Sequence, residues 1–387
     1  VLTVLLILWG LAISIQLIFV LFVFVRTAFF RQADHPVSNS SPGVTLVVCA
    51  RNELRNLTDL LPLLDSQTYP TFEVLVMDDR STDGTQHFLE NEISHLSRVR
   101  FIRIDKDYDH VTPKKYAVTI ALKKALHPIV LLTDADCRPA GSDWLAGMVG
   151  QLNKPGADIV LGFSPYEHRP GLLNLLIRIE TLFTAVQYVS LALAGRPYMG
   201  VGRNLMYRRQ LFFDNRGFYS HMNVLGGDDD LFINEVATGR NTAVSLDPAT
   251  FTWSQPKETW ADWRMQKRRH LNVGKHYKTG HKVRLGLLTG SHVLTWWLGL
   301  IVGLTVLVSW QVGYPFTDSD QLLLETVGGL FALRLLTFWG IVGRISYRLA
   351  HTVHWAIIPL MDVTLAVYYV VMGLNTYINR RRKLYWR

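Results

Sequence analysis

The 387-residue chain carries 40 Lys and Arg against 31 Asp and Glu, a net charge of +9, with 49% hydrophobic and only 18% charged residues. That balance excludes a disordered chain, a small disulfide scaffold and a soluble domain of average charge content. Two cysteines, Cys49 and Cys137, cannot build a disulfide framework and suit a reducing, cytosolic setting. The apolar excess is concentrated at the ends: residues 1–25 and 285–317 contain no Asp, Glu, Lys or Arg, runs of 25 and 33 residues, where about 20 suffice to span hydrocarbon.

The first run has neither a basic leading region nor a small-residue cleavage site, so residues 1–26 read as a retained anchor. Arg26 and Arg31 follow it and place the next domain in the cytoplasm of a multi-pass cell (inner) membrane protein. At the other end, residues 285–379 read as two to three membrane segments, 285–317, 322–343 with Glu325 and Arg334, and 349–379 with Asp362. Arg344 and Arg348 on one side of the last segment, and Arg380, Arg381, Arg382 and Lys383 on the other, cannot both be cytoplasmic after a single crossing. Either Pro359 marks a re-entrant break or one segment lies in the interface, which leaves three or four spans in all.

Between the ends, residues 43–283 alternate strand and helix. Val44 to Cys49, Phe72 to Met77, Val99 to Ile104 and Ile129 to Thr133 are short apolar runs of strand type, separated by helical patterns over Glu53 to Asp65 and Lys114 to Ala125. This order predicts an α/β fold with a mostly parallel sheet flanked by helices, and ligands outside the C-terminal strand ends. The polar residues obey that rule: Arg51, Asn52 and Glu53 follow the first strand, Asp78 and Asp79 the second, Asp134 and Asp136 the fourth. Acids gathered at one edge repel one another unless a cation or hydrogen-bonding ligand sits among them. In extended chain the two carboxylates of Asp134-Ala135-Asp136 face one side and suit a hard divalent cation, Mg²⁺ or Mn²⁺, although a lone Asp-x-Asp is more often a solvated turn. The stretch from Leu172 to Leu193 is apolar but contains Arg178 and Glu180, which fits an interfacial amphipathic helix or a buried core helix equally.

The segment Val48-Cys49-Ala50-Arg51-Asn52-Glu53, then Gln67 to Pro70, Val76 to Thr85, the Lys114 helix, Asp134-Ala135-Asp136, Gly200 to Arg208, Gly227 to Leu231 and Gln266 to His270 together resemble glycosyltransferase family 2 over about residues 43–275. The resemblance implies a GT-A (Rossmann-like) domain and a nucleotide-sugar donor, most simply UDP-linked. Ala50, Glu53, Asp78 and Asp79 would then bind the donor nucleoside, Lys114, Gln266 and Arg269 its diphosphate, and Asp134 and Asp136 the metal. Asp229 matches the position of the family's catalytic base, with Asp228 and Asp230 beside it. Arg203, Asn204 and His270 would meet the acceptor, His270 standing where the family's Gln-x-x-Arg-Trp motif has Trp. Each residue also has a plain structural role open to it: helix or turn capping for the acids, surface exposure for Lys114, a simple turn for Arg203 and Asn204.

From Lys257 to Arg284 nine Lys and Arg stand against two acids, interleaved with Trp260 and Trp263. Because this run immediately precedes a membrane segment, it suits diphosphate or anionic lipid rather than nucleic acid. The expectation is a membrane-bound, metal-dependent, inverting hexosyltransferase acting on a lipid or lipid-linked glycan. A processive polysaccharide synthase of the same superfamily, and a catalytically silent membrane scaffold, are the alternatives; loss of the Trp stacking face at His270 speaks against the polymerase.

Overall fold

A computed structural model describes residues 2–33, 42–106, 111–313, 315–350 and 352–378. The basic cluster from Arg380 to Lys383, on which part of the topology argument turned, lies outside the described residues. The chain divides into two compact units, one formed by residues 2–29 and 278–378, the other by Phe30–Tyr277.

The central unit is built on a seven-stranded sheet. Its strands are β1 (Val44–Ala50), β2 (Phe72–Asp79), β3 (Val99–Ile104), β4 (Ile129–Asp134), β6 (Ile159–Leu161), β7 (Leu205–Arg208) and β8 (Thr242–Val244), in the order β3-β2-β1-β4-β7-β6-β8. A separate antiparallel pair joins β5 (Cys137–Pro139) to β9 (Thr252–Ser254). The first four strands are mutually parallel, β7 runs antiparallel to both β4 and β6, and β8 is parallel to β6. All eight residues of β2 are buried, as a strand covered on both faces requires. The helix Leu54–Asp65 supplies part of that cover through Leu57, Leu60, Leu61 and Leu64, a stripe at helical spacing.

Register decides where the chemistry falls. Ala50 lies opposite Asp78, and Cys49 opposite both Met77 and Asp134, so three strands end at one level and deliver their acidic residues to the same edge. Of the two readings open for Leu172–Leu193, the structure selects the core helix. It is mostly buried, including Asn174, Gln187 and Ser190, and Glu180 is ion-paired to Lys267.

The other unit is helical: Leu2–Ile18 continuing through a π-helical turn Phe19–Phe24 into Val25–Ala28, then Thr279–Val312, Asp318–Arg348 and Ile358–Ile378. Together with Leu172–Leu193, these make five helices long and apolar enough to cross a membrane, among the described residues. Gly313, at φ 70°, ends the second helix of this unit with the left-handed turn that glycine takes without strain. Pro359 is not a re-entrant break: it sits in the first turn of Ile358–Ile378, where its missing N–H is not needed. Apolar packing around Leu6, Trp9, Ile13, Leu17, Val302 and Val327 holds three of the helices together.

Inside this unit lies a polar network with no solvent exposure, made of Gln16, His292, Arg334 and Asp362. Arg334 is ion-paired to Asp362, and its Nη2 donates to Gln16 Oε1 at 3.2 Å. His292 Nε2 donates to the Asp362 carbonyl at 2.9 Å, which leaves its Nδ1 to accept from Arg334 Nη2 at 3.2 Å. The indoles of Trp296 and Trp339 donate to the two Asp362 carboxylate oxygens at 3.3 and 3.0 Å.

Candidate active site

Four polypeptide segments meet at the C-terminal ends of β1, β2 and β4. The loop after β1 and the loop after β2 are tied together: Asn52 N donates to Ser81 Oγ at 2.9 Å, and Thr82 N to Asn52 Oδ1 at 2.8 Å. Asn52 and Arg80 both adopt positive φ, 57° and 56°, which marks these tips as strained turns. Glu53, the last residue before the helix Leu54–Asp65, accepts from Asn56 Nδ2 at 2.6 Å. Burial raises its pKa, Asp136 and Asp134 add to the rise, and Lys257 opposes it.

At the end of β4, Asp134 Oδ1 accepts from Lys114 Nζ at 2.8 Å, and the same ammonium lies 3.2 Å from Asp228 Oδ2. Lys114 therefore bridges the end of β4 to the acidic triplet. Burial opposes its charge, but Asp134, Asp228 and Asp229 outweigh that cost and hold its pKa well above the usual lysine range. Asp134 is also penalised by burial, yet Lys114, and then Arg203 and Arg269, keep it ionised. At Asp136 burial and the neighbouring Asp134 outweigh Arg203, Lys257 and Lys114, and its pKa is raised. Two carboxylates of opposed tendency on one strand end are a donor set that an added divalent cation would relieve. Among the described residues no group of three or more His, Cys, Asp or Glu side chains is arranged to hold a metal, so a cation here would complete its shell with oxygens from ligand and water.

The triplet Asp228-Asp229-Asp230 opens the short helix Asp230–Val236. Asp229 is its N-cap, with Oδ1 accepting from Asp230 N and Oδ2 from Gly202 N, both at 2.7 Å. A Cβ at Gly202 would stand 3.1 Å from Asp229 Oδ2, so glycine is what lets that backbone approach. Burial, reinforced by Asp228, nevertheless pushes the Asp229 carboxyl up to about 6. Burial and Asp229 push Asp230 well above the carboxylate range, and Tyr277 donates to it at 3.2 Å.

On the facing side, Arg203 lies over the Tyr166 ring at 4.4 Å, and its Nη1 is buried without a hydrogen-bond acceptor. Gln266 Nε2 reaches the Tyr166 hydroxyl at 3.3 Å. Gln266, Arg269 and the exposed His270 share the helix Trp260–Gly274.

Two expected contacts fall elsewhere. Asn204 is fully buried and its side chain is consumed by the scaffold: Nδ2 donates to the carbonyls of Phe163 and Thr250, and Oδ1 accepts from Trp144 Nε1. Both of its amide hydrogens are thereby used, and its Oδ1 is buried against Trp144. Asp78 is likewise fully buried, accepting from Ser81 N at 3.3 Å and from Arg103 Nη1 at 3.2 Å, so it knits strand ends and loop. Asp79 is mostly buried against Arg80, and Ala50 is buried at the tip of β1. Sequence reasoning missed Tyr166 and Tyr277, which no motif flags, and singled out Lys257 only as the start of a basic run.

Residues 45–215 match the model of the family described as Glycosyl transferase family 2. Among curated proteins, the chain is 26% identical to the probable glycosyltransferase YdaM of Bacillus subtilis over 236 residues, 59% of this chain and 54% of that protein. It is 29% identical to the beta-monoglucosyldiacylglycerol synthase of a Nostoc species over 156 residues, 38% of this chain and 33% of that protein. The chain thus spans about half or less of the curated relatives it matches. Among solved structures, the mannosyltransferase PcManGT from Pyrobaculum calidifontis, in complex with GDP-Man and Mn2+, aligns with a TM-score of 0.58 at 20% identity, over 90% of this chain and 99% of that one. That likeness bears on the fold, while the family match covers the motifs up to Arg208 and leaves Gly227 to Leu231 and Gln266 to His270 outside it. Residues 45–215 thus resemble glycosyl transferase family 2, and the central unit has a GT-A-like fold.

Proposed function

We propose that the protein is an inverting, metal-dependent glycosyltransferase that moves a sugar from a nucleotide-sugar, UDP-linked in the simplest case, to a lipid or lipid-linked glycan at the cytoplasmic face of a membrane. The observation that carries this reading is Asp229: a buried carboxylate with its pKa raised to about 6, fixed by two backbone N–H groups and joined through Asp228 and Lys114 to Asp134. Each Asp229 oxygen still has a lone pair after those bonds.

In this reading Asp229 takes the proton of the acceptor hydroxyl as that oxygen attacks the anomeric carbon. The bond from anomeric carbon to diphosphate breaks, and the nucleoside diphosphate leaves from the opposite face, so the configuration inverts. A divalent cation held by Asp136 and Asp134 supplies charge stabilisation at the diphosphate when bound. Lys114, Arg203 and Arg269, already acting on Asp134, supply further positive charge beside the leaving group. Glu53 and Asp79 stand at the loop tips where the nucleoside would lie.

The lipid acceptor is supported by sequence continuity with membrane-crossing segments on both sides of the domain, and by the Nostoc relative, whose name describes synthesis of a glycolipid. Membranes carrying the protein should be incubated with a panel of labelled nucleotide-sugars. Label entering lipid extract as one added sugar bears the proposal out; a ladder of chain lengths would mean a polymerase, and no incorporation from any donor would end the enzymatic reading. Protection of the domain from added protease in right-side-out vesicles, but not in inverted ones, tests its cytoplasmic placement.

A further inference from the structure

The helix Pro113–Lys124 contributes two adjacent lysines with different partners. Lys114 reaches Asp134 and Asp228, as described above. Lys115 has no solvent exposure, and its Nζ donates to the carbonyl oxygens of His221 at 2.6 Å and Val224 at 2.7 Å. A buried ammonium is expensive unless hydrogen-bonded, and backbone carbonyls are the acceptors it has found. Burial lowers its pKa to about 8, with Asp228, Asp229 and Glu235 opposing, so the group keeps its charge at neutral pH.

The two carbonyls belong to the turn just ahead of the acidic triplet. Upstream, that turn is anchored by Phe218, packed edge-on against Phe212 and Phe232 at 4.9 and 6.3 Å. Downstream, the chain passes through Gly226 and Gly227, at φ 85° and 75°, before it reaches Asp228. Two glycines in the left-handed region give that link little stiffness of its own. Among the described residues, the last side-chain hydrogen bonds to this backbone before the acids are those from the Lys115 ammonium.

We infer that Lys115 is a positioning residue for the proposed base: it clasps the 221–224 turn to the helix that also carries Lys114, and so sets where Asp228 and Asp229 stand relative to Asp134. This inference rests on the transferase reading, and it acts through backbone rather than through substrate. A misplacement of about 1 Å in a reacting group costs on the order of 100-fold in rate, which is the scale of effect at stake.

The test uses the full-length protein in lipid nanodiscs, comparing wild type with Lys115→Met and Lys115→Arg. Initial rates give kcat and donor KM, and hydrogen exchange reads the backbone of residues 218–230 against that of β1 and β2. For Lys115→Met, kcat should fall roughly 10- to 100-fold with donor KM within about twofold, and protection should drop in 218–230 alone. Lys115→Arg, which can donate to both carbonyls, should restore most of the rate and the protection. Unchanged kcat, unchanged exchange in 218–230, or a loss of protection spread equally over β1 and β2 would each overturn the clasp. Should wild type transfer no sugar, the functional reading falls by itself, and the exchange arm alone decides whether Lys115 holds the turn.

Discussion

Asp229 carries opposed influences: two backbone N–H groups favour its charge, yet burial and Asp228 prevail and its pKa rises to about 6. In the proposed role of base it would work only when ionised, so kcat should fall about tenfold per pH unit below about 6. Asp229→Asn should lower kcat by about 10²- to 10⁴-fold, the usual contribution of a general base, with nucleotide binding by calorimetry little changed. The stability linkage has the reverse sign. Because folding raises this pKa, the folded state holds an extra proton between the ordinary Asp range and about 6, and the group's contribution to stability is lost as pH rises through that window. Wild type should therefore lose Tm relative to Asp229→Asn between about pH 4 and 7 while it gains rate; parallel curves would mean that Asp229 does not titrate there. Most of these acids were legible as sequence because strand ends are short and their polar residues abrupt. Asn204 misled because a polar residue after glycines reads as an exposed turn, whereas Gly162 lacks the Cβ that would lie 2.4 Å from the Asn204 side chain and so lets it be buried.

The strands β1 to β4 announce themselves as runs of six to eight residues rich in apolar side chains, and parallel pairing buries β1, β2 and β4 on both faces while β3, at the sheet edge, stays partly exposed. The remaining five have only three or four residues each, too short for periodicity to register. They exist because neighbours pair with them: β7 borrows its direction from β4 and β6, and β5 closes on β9 from more than a hundred residues away. Helix placement was similarly half visible. The apolarity of Leu172–Leu193 suggested either membrane or core, and what decides it is Glu180, whose partner Lys267 sits on Trp260–Gly274, the helix of Gln266 and Arg269. The pair is mostly buried, so removing one member strands the other. Lys267→Met should destabilise the domain by about 2–3 kcal/mol, less than a fully desolvated pair because Glu180 keeps some exposure. Adding Glu180→Met should recover most of that loss. A thermal melt of single and double variants reads this directly, and additive losses would show that the two residues are not coupled.

For the whole molecule, the sequence exposed the two chemical regimes, an apolar unit at the ends and a charged one between, because composition alone separates them. Chelation probes the central unit: EDTA should abolish transfer, with Mn²⁺ or Mg²⁺ restoring it, and Asp136→Ala should show residual rate that neither metal improves. The membrane unit poses a different question, since Arg334, with Glu325, weakened 322–343 as a candidate span and Asp362 is the one full charge of residues 349–379. In the structure the two charges meet each other together with Gln16 and His292, all four without solvent contact, and two partly buried indoles donate to the carboxylate. Such a pair need not add stability over an apolar one, but half of it is costly, because the remaining charge is left desolvated. Arg334→Met and Asp362→Leu should each destabilise the full-length protein by about 3–5 kcal/mol, and the double variant by less than either single one. Asp362→Asn should be milder than Asp362→Leu, because an amide oxygen can still accept from Trp296 or Trp339. Melts in one detergent across the four variants decide it. Singles as stable as wild type would mean that apolar packing around Trp9 and Leu17 holds these helices without the charges, whereas a double variant worse than both singles would point to the indole and His292 bonds as the stronger tie.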